Sequence, residues 1–336
     1  MRATVAGPPS GDYVDVMSET PAFLDGTRPP VPDIVVSRGI TPFYLPLRPV
    51  RGRLVRLGPL ADALLTRHDN PPAVTRLAGQ ALALTAGLAS ALKFRGSFSL
   101  QAKGDGPLTM LLADCTDAGE LRFYARTNAE RLEALLARAA RPAADELLGT
   151  GYLAFTVDQG DAENRYQGIV SIEGTSLAEM ALHYFVSSEQ LRYFVHLACE
   201  QGPDGWRAGA LILEKIAGAG GVDPSLDEAA QEESWSTATI LAATVTDAEL
   251  LDDTLPAERL LHRLFHSEGV ETDRARALSY GCRCSRSRLA GILEGFPPVD
   301  LDDMVVDGEI VMTCEFCNID FRFPRAEVRG KTASQS

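Results

Sequence analysis

Apolar and polar positions alternate over Phe98, Leu100 and Ala102, again over Leu121, Phe123 and Ala125, and once more over Ile319, Phe321 and Phe323. A period of two marks a strand with one covered face. Further strands are predicted over 50–57, 108–113, 152–157, 167–173, 191–198 and 209–216. The pair at 152–157 and 167–173 flanks a polar loop at 160–164, and the last two strands join through Gly202-Pro203-Asp204-Gly205. Helical spacing appears over 60–67, 73–92 and 129–139. The long helix follows the turn His68-Asp69-Asn70-Pro71-Pro72. Its small residues (Ala78, Gly79, Ala83, Gly87, Ala91) suit close packing on a sheet. Ser176 with Glu179 three residues on forms a capping box for a helix reaching about 188. Strand runs interrupted by helices, without regular alternation, predict an α+β core with a mixed sheet and packed helices.

The pattern changes at both ends. Residues 1–45 hold Pro8-Pro9, Pro21, Pro29-Pro30 and Pro32 and few periodic apolar positions, and are read as an N-terminal extension, mobile or draped on the surface. The core is placed at 46–218. Gly218, Gly220 and Gly221 then break the pattern, and 219–258 carries ten Asp/Glu and no Lys/Arg. Trp235, Ile240, Leu241, Val245, Leu250 and Leu251 make this stretch too apolar for a plain tether. A helix is expected from Thr254, with Leu260, Leu261, Leu264 and Phe265 on one face. An acidic, self-repelling linker at 219–281 is therefore expected to be partly helical, marginally stable and dependent on its neighbours. A small module at 282–330 follows, then a polar tail at 331–336. Within the module a short helix carries Leu289, Ile292 and Leu293, Asp300 is read as the cap of a second, and Asp307-Gly308 as a turn.

Charge narrows the function classes. The chain has 336 residues and a formal net charge of −14, so it lacks the basic footprint of a nucleic-acid binder. No basic stretch followed by an apolar one opens it, and the longest apolar run, 77–92, is short for a membrane span. A cytoplasmic protein without nucleic-acid or membrane partners is expected.

Four of the six cysteines fall in two tight pairs, Cys282-Arg283-Cys284 and Cys314-Glu315-Phe316-Cys317, with 29 residues between the pairs. Two such pairs complete a closed tetrahedral zinc site with no open position, one zinc per chain, held by Cys282, Cys284, Cys314 and Cys317. A module of this size folds poorly without a metal, and structural zinc contributes on the order of 10–16 kcal/mol of apparent binding energy as folding energy. Thiolates are also what oxidants attack, and the sulfurs of Cys-x-Cys are candidates to bond each other once a metal leaves. Arg283, Arg286 and Arg288 beside the first pair, and Arg322 and Arg325 after the second, are expected to offset the charge of four thiolates.

Other candidates are weaker. Cys115 and Cys199 read as small buried hydrophobes. His262 and His266 have metal-compatible spacing, but no Glu follows His262 as zincin chemistry requires. Gly330-Lys331-Thr332 imitates the end of a phosphate loop, but Arg325 stands where its first glycine belongs. His68-Asp69 reads as turn and cap. No catalytic or cofactor-binding residue is assigned.

Together with Gly104-Asp105-Gly106-Pro107, Arg165-Tyr166-Gln167-Gly168, Ser188-Glu189-Gln190-Leu191 and Asp307-Gly308-Glu309-Ile310, taken in order, the cysteine pairs resemble the 33-kilodalton heat-shock protein family, redox-regulated holdase chaperones of bacteria. The resemblance covers roughly 48–325. It implies an α+β core, a metastable linker and a small C-terminal zinc domain. It further implies an ATP-independent, non-enzymatic chaperone of the oxidative stress response, inactive when reduced and zinc-bound. Oxidants would form the disulfides Cys282–Cys284 and Cys314–Cys317, release zinc and unfold the linker, and the oxidised form would dimerise and hold unfolding clients. Two readings stand beside it: a zinc-thiolate or dithiol oxidoreductase, and a zinc-ribbon adaptor indifferent to redox state.

Overall fold

The computed structural model describes residues 31–46, 48–159, 165–216 and 228–330. The polar loop at 160–164, the glycines at 218–221, residues 1–30 of the extension and the tail with Lys331 and Thr332 lie outside the described residues. Chain order runs β1 (Val35–Leu45), β2 (Val50–Arg56), α1 (Pro59–Leu65), α2 (Pro72–Ala89), β3 (Ser97–Gly104), β4 (Leu108–Thr116), β5 (Glu120–Thr127), α3 (Ala129–Arg138), α4 (Ala144–Leu148), β6 (Gly151–Asp158) and β7 (Arg165–Ser171). It continues with α5 (Leu177–Tyr184) and a π-helical turn, β8 (Tyr193–Gly202), β9 (Gly205–Lys215), α6 (Glu228–Ala242), α7 (Asp247–Leu251), α8 (Ala257–Phe265), β10 (Glu271–Thr272) and β11 (Arg276–Tyr280). Last come α9 (Arg286–Glu294), α10 (Pro298–Asp303), β12 (Val305–Val306), β13 (Glu309–Thr313) and β14 (Asp320–Pro324). The fold is α+β.

Two compact units emerge, one made of 31–282 with 313–320, the other including 283–312 and 321–330. In the larger, eleven strands among the described residues form one sheet, in the order β7-β6-β3-β4-β5-β11-β1-β2-β9-β8, with β10 also on β1. β11 runs parallel to β5, and β1 and β2 are antiparallel neighbours. Helix α2 is buried nearly all round. Its small residues are there for proximity: a Cβ on Gly79 would meet the Cys199 sulfur at 2.3 Å, and one on Gly87 would meet Ile212 at 2.5 Å. Cys115 and Cys199 are buried, as expected of small hydrophobes. The capping box forms as read: Glu179 N–H donates to Ser176 Oγ, and Ser176 N–H to the Glu179 carboxylate, each at 3.2 Å.

The sequence pattern placed no strand before Val50, yet β1 covers Val35–Leu45. Gly39, Pro42 and a cluster of polar residues hide its periodicity. The strand is held from both sides, by β2 and by β11, and the Pro42 carbonyl still accepts from Asp273 N–H at 2.9 Å. Phe43 lies opposite Gly52, whose missing side chain makes room for the ring.

The smaller unit holds α9, α10 and the strands β12-β13-β14. Ser285 caps α9 by accepting from Arg288 N–H at 3.2 Å. The second helix starts earlier than the pattern suggested: Pro298 takes the first helical position, where a missing N–H costs nothing, and Asp300 lies in the first turn instead of at the cap. Asp307 and Gly308 both have positive φ (53° and 84°), as a two-residue turn between β12 and β13 requires.

Candidate metal centre and the covered sheet face

Each cysteine pair is held by its own local geometry. β11 delivers the first: Gly281 N–H bonds to the Leu121 carbonyl at 2.8 Å, and a Cβ on Gly281 would strike the Glu120 backbone at 2.7 Å. Cys282 follows directly, and Cys284 immediately precedes the α9 cap. The second pair sits on a tight knuckle. Cys314 N–H donates to the Ile319 carbonyl (2.9 Å), Asn318 N–H to the Cys314 carbonyl (2.8 Å), and Asn318 adopts φ 54°, a conformation its short polar side chain tolerates. Thr313 Oγ1 donates to Asp320 Oδ1 at 2.6 Å and closes the base of the knuckle.

The sulfurs of Cys282, Cys284, Cys314 and Cys317 lie within 4.8 Å of one another, and Cys282 and Cys314 are 3.6 Å apart. A tetrahedron with metal–sulfur bonds of about 2.3 Å has edges of about 3.8 Å, so this donor set fits a single ion. Cys282 and Cys317 are 1% and 0% exposed, Cys284 and Cys314 9% each. The four residues could hold a metal ion.

Three of the five arginines expected at the sulfurs have other partners. Arg286 lies 4.5 Å over the Phe323 ring and donates to the Arg322 carbonyl, Arg322 pairs with Glu309, and Arg325 with Asp302. These cations serve the small unit's own fold. Core residues that sequence reasoning missed also face the sulfurs. Tyr280 is raised above the ordinary tyrosine range, first by burial and then by the charges of Cys317 and Cys282; its hydroxyl is buried without a protein hydrogen-bond partner. His68, read as part of a turn, packs edge-on to Phe123 and donates from Nε2 to the Phe316 carbonyl at 3.2 Å. Burial pushes the His68 ring below its usual range, against the opposing effects of that carbonyl and Cys314. The Arg122 guanidinium stacks over the Phe316 ring, and Arg126 pairs with Glu315. His262 and His266 are exposed and stack on each other at 5.5 Å.

A second feature lies on the sheet. The acidic segment folds as α6, α7 and α8 across one face of β1, β2, β9 and β8. Trp235, Ala238, Leu250, Leu260, Leu264 and Phe265 pack there against Phe43, Leu45, Leu54, Ala198, Leu211 and Leu213. The other face of β2, β9 and β8 carries α2, so β9 is buried on both sides. The expected face of α8 is the buried one. Arg56 holds the end of α7, donating to the carbonyls of Glu249 (2.6 Å), Leu250 (2.9 Å) and Leu255. Such carbonyls lack helical partners, and a cation satisfies them.

The family model for the Hsp33 protein matches residues 39–324. The chain is similar to the 33 kDa chaperonin of Caulobacter vibrioides, with 40% identity over 284 residues covering 83% of this chain and 92% of that protein. It is also similar to the 33 kDa chaperonin of Ectopseudomonas mendocina, with 36% identity covering 83% and 90%. The crystal structure of the 33 kDa chaperonin from Thermotoga maritima shares the fold, with a TM-score of 0.69, 21% identity and coverage of 87% and 96%. The chain belongs to the Hsp33 family. Among the described residues no helix is long and apolar enough to cross a membrane.

Proposed function

We propose that this protein is an ATP-independent holdase chaperone of the cytoplasm, switched on by oxidation. The observation that carries the reading is an apolar sheet face covered by a segment of the same chain, whose continuation through β11 ends at Cys282. In the reduced state Cys282, Cys284, Cys314 and Cys317 hold zinc. Zinc bound there would cross-link the four thiolates and so supply folding energy. A two-electron oxidant, such as hypochlorous acid or a peroxide, takes two electrons from each pair. The sulfurs of Cys282 and Cys284 join, those of Cys314 and Cys317 join, and any thiol protons leave to solvent. Disulfide sulfurs no longer hold a metal. The acidic segment then loses its anchor, and the face bearing Phe43, Leu54, Leu211 and Leu213 becomes available to unfolding proteins. A homodimer is the proposed oxidised form.

The gathering of four sulfurs within 4.8 Å of one another, a donor set for one ion, favours this reading over a dithiol oxidoreductase, which works with a single exposed pair. The test is aggregation of a heat-denatured client with the protein either reduced and zinc-loaded or oxidised and zinc-free. Suppression confined to the oxidised form supports the switch; equal suppression in both overturns it.

A further inference from the structure

Charge is distributed asymmetrically across the covered face. The segment 228–268 carries nine Asp/Glu and two arginines. Among the described residues, each ion pair joining it to the core has the cation, or the histidine, in the core: Arg38 with Glu258, Arg48 with Glu268, Arg192 and Lys215 with Glu232, Arg207 with Asp253, and His196 with Asp247. Arg56 adds a cation turned to helix carbonyls. The centre of the face is apolar and its rim is basic, on a chain whose net charge is −14.

We propose that this face is a receptor for one chemical class of client segment, an amphipathic helix whose apolar stripe is flanked by carboxylates. The inference rests on the holdase reading and specifies its substrate. The present occupant is the template: α6 and α8 place Trp235, Leu260, Leu264 and Phe265 on the sheet and their carboxylates on the rim. A vacated face keeps its apolar centre and its cations. An unfolding protein exposes many apolar stripes, and the rim discriminates among them. Carboxylates at the edge meet Arg192, Arg207, Arg48 and Lys215; lysines there meet like charge. Each such surface pair strengthens binding by roughly 1.4- to 5-fold. Five lost together weaken binding at least about fivefold at low salt, and salt screens the difference.

The experiment uses the full oxidised, zinc-free chain and two labelled peptides followed by fluorescence anisotropy. One peptide has the sequence of residues 228–268. The other carries Gln or Asn in place of Glu232, Asp247, Asp253, Glu258 and Glu268. The expected result is at least about fivefold tighter binding of the acidic peptide at low salt, with the gap closing at high salt. The double variant Arg192→Glu/Arg207→Glu should lose that preference and gain affinity for a peptide with Lys at the same five positions. Equal affinities for the two peptides, or a preference untouched by the double variant, overturn the proposal. If the oxidised chain suppresses client aggregation while the peptides bind equally, the receptor proposal fails and the holdase reading stands. If it suppresses no aggregation, the holdase reading fails and the proposal with it.

Discussion

The guanidinium of Arg122 on β5 lies 4.1 Å from the centre of the Phe316 ring, which is the last residue before Cys317. The same guanidinium bonds to Asp114, which is 5% exposed, at 3.2 Å, so it is held in place from behind. Tyr124 stands 6.5 Å from the Phe316 ring, and His68 holds the Phe316 carbonyl. The side chain between the two sulfurs of the knuckle is therefore gripped by the core. Cation–π contacts of this kind contribute about 0.5–2 kcal/mol. Phe316→Ala should leave the four cluster thiols and one zinc per chain, and should raise hydrogen exchange across 313–320 several-fold. Unchanged exchange in the variant would show that the ring holds nothing.

Trp235 is the largest side chain that α6 places on the sheet; it is 5% exposed, with Arg192 packed 5.7 Å from its ring. Removing a buried Trp typically costs about 3–5 kcal/mol, and the segment it anchors depends on a few such contacts. Trp235→Ala should release the segment 228–268 without oxidation, so the reduced, zinc-loaded variant should suppress client aggregation. The check is an aggregation assay with zinc content measured in parallel. A variant that keeps its zinc and remains inactive would contradict the role given to this contact.

Glu232 gives the pH dependence a sign. Hydrogen bonds from Arg192 and Lys215 hold its carboxyl down at about 2, from an ordinary value of 4.5. A carboxylate depressed in the folded state contributes stability that is present in full above its unfolded value and is lost as pH falls through its folded value. The window therefore runs from about 4.5 down to about 2. Glu232→Gln should destabilise the docked segment at pH 7, and the gap from wild type should shrink below pH 4.5 and close near pH 2. Trp235 fluorescence in urea titrations at several pH values measures it. A gap independent of pH would show that the ion pairs are not what Glu232 contributes.

Gly79 and Cys199 meet where α2 crosses β8. A methyl on Gly79 would gain helix propensity of up to about 1 kcal/mol and lose about 1–3 kcal/mol to overpacking against the sulfur. Gly79→Ala should be destabilising in urea unfolding, and Cys199→Ala in that background should restore much of the loss. A coupling of about 0.5–3 kcal/mol is expected for residues in contact, whereas simple additivity would contradict the close approach.

Much of the fold was legible because its strands and helices carry their own period. The alternation at Phe98, Leu100 and Ala102 marks β3, and the stripe at Leu260, Leu261, Leu264 and Phe265 marks α8. The four sulfurs announced themselves by spacing. β1 and β11 did not, because β1 is interrupted by Arg38 and Gly39 and β11 is only five residues long, and both are interior strands held by their neighbours on either side. The grip on Phe316 joins residues 248 positions apart in the case of His68, and no local pattern encodes such a pairing. Nor does a run of carboxylates disclose which cations will receive it. Arg286, Arg322 and Arg325 looked suited to the sulfurs, but they meet Phe323, Glu309 and Asp302.

The most direct measurement is hydrogen exchange of the segment 228–268 by mass spectrometry, on protein whose zinc and free thiols are counted in the same samples. With zinc bound and the thiols reduced, the backbone of α6 and α8 should be protected. After hypochlorous acid has removed the zinc and four thiols, that protection should collapse while β3, β4 and β6 keep theirs. Retained protection of α6 and α8 in the oxidised, zinc-free protein would contradict the account.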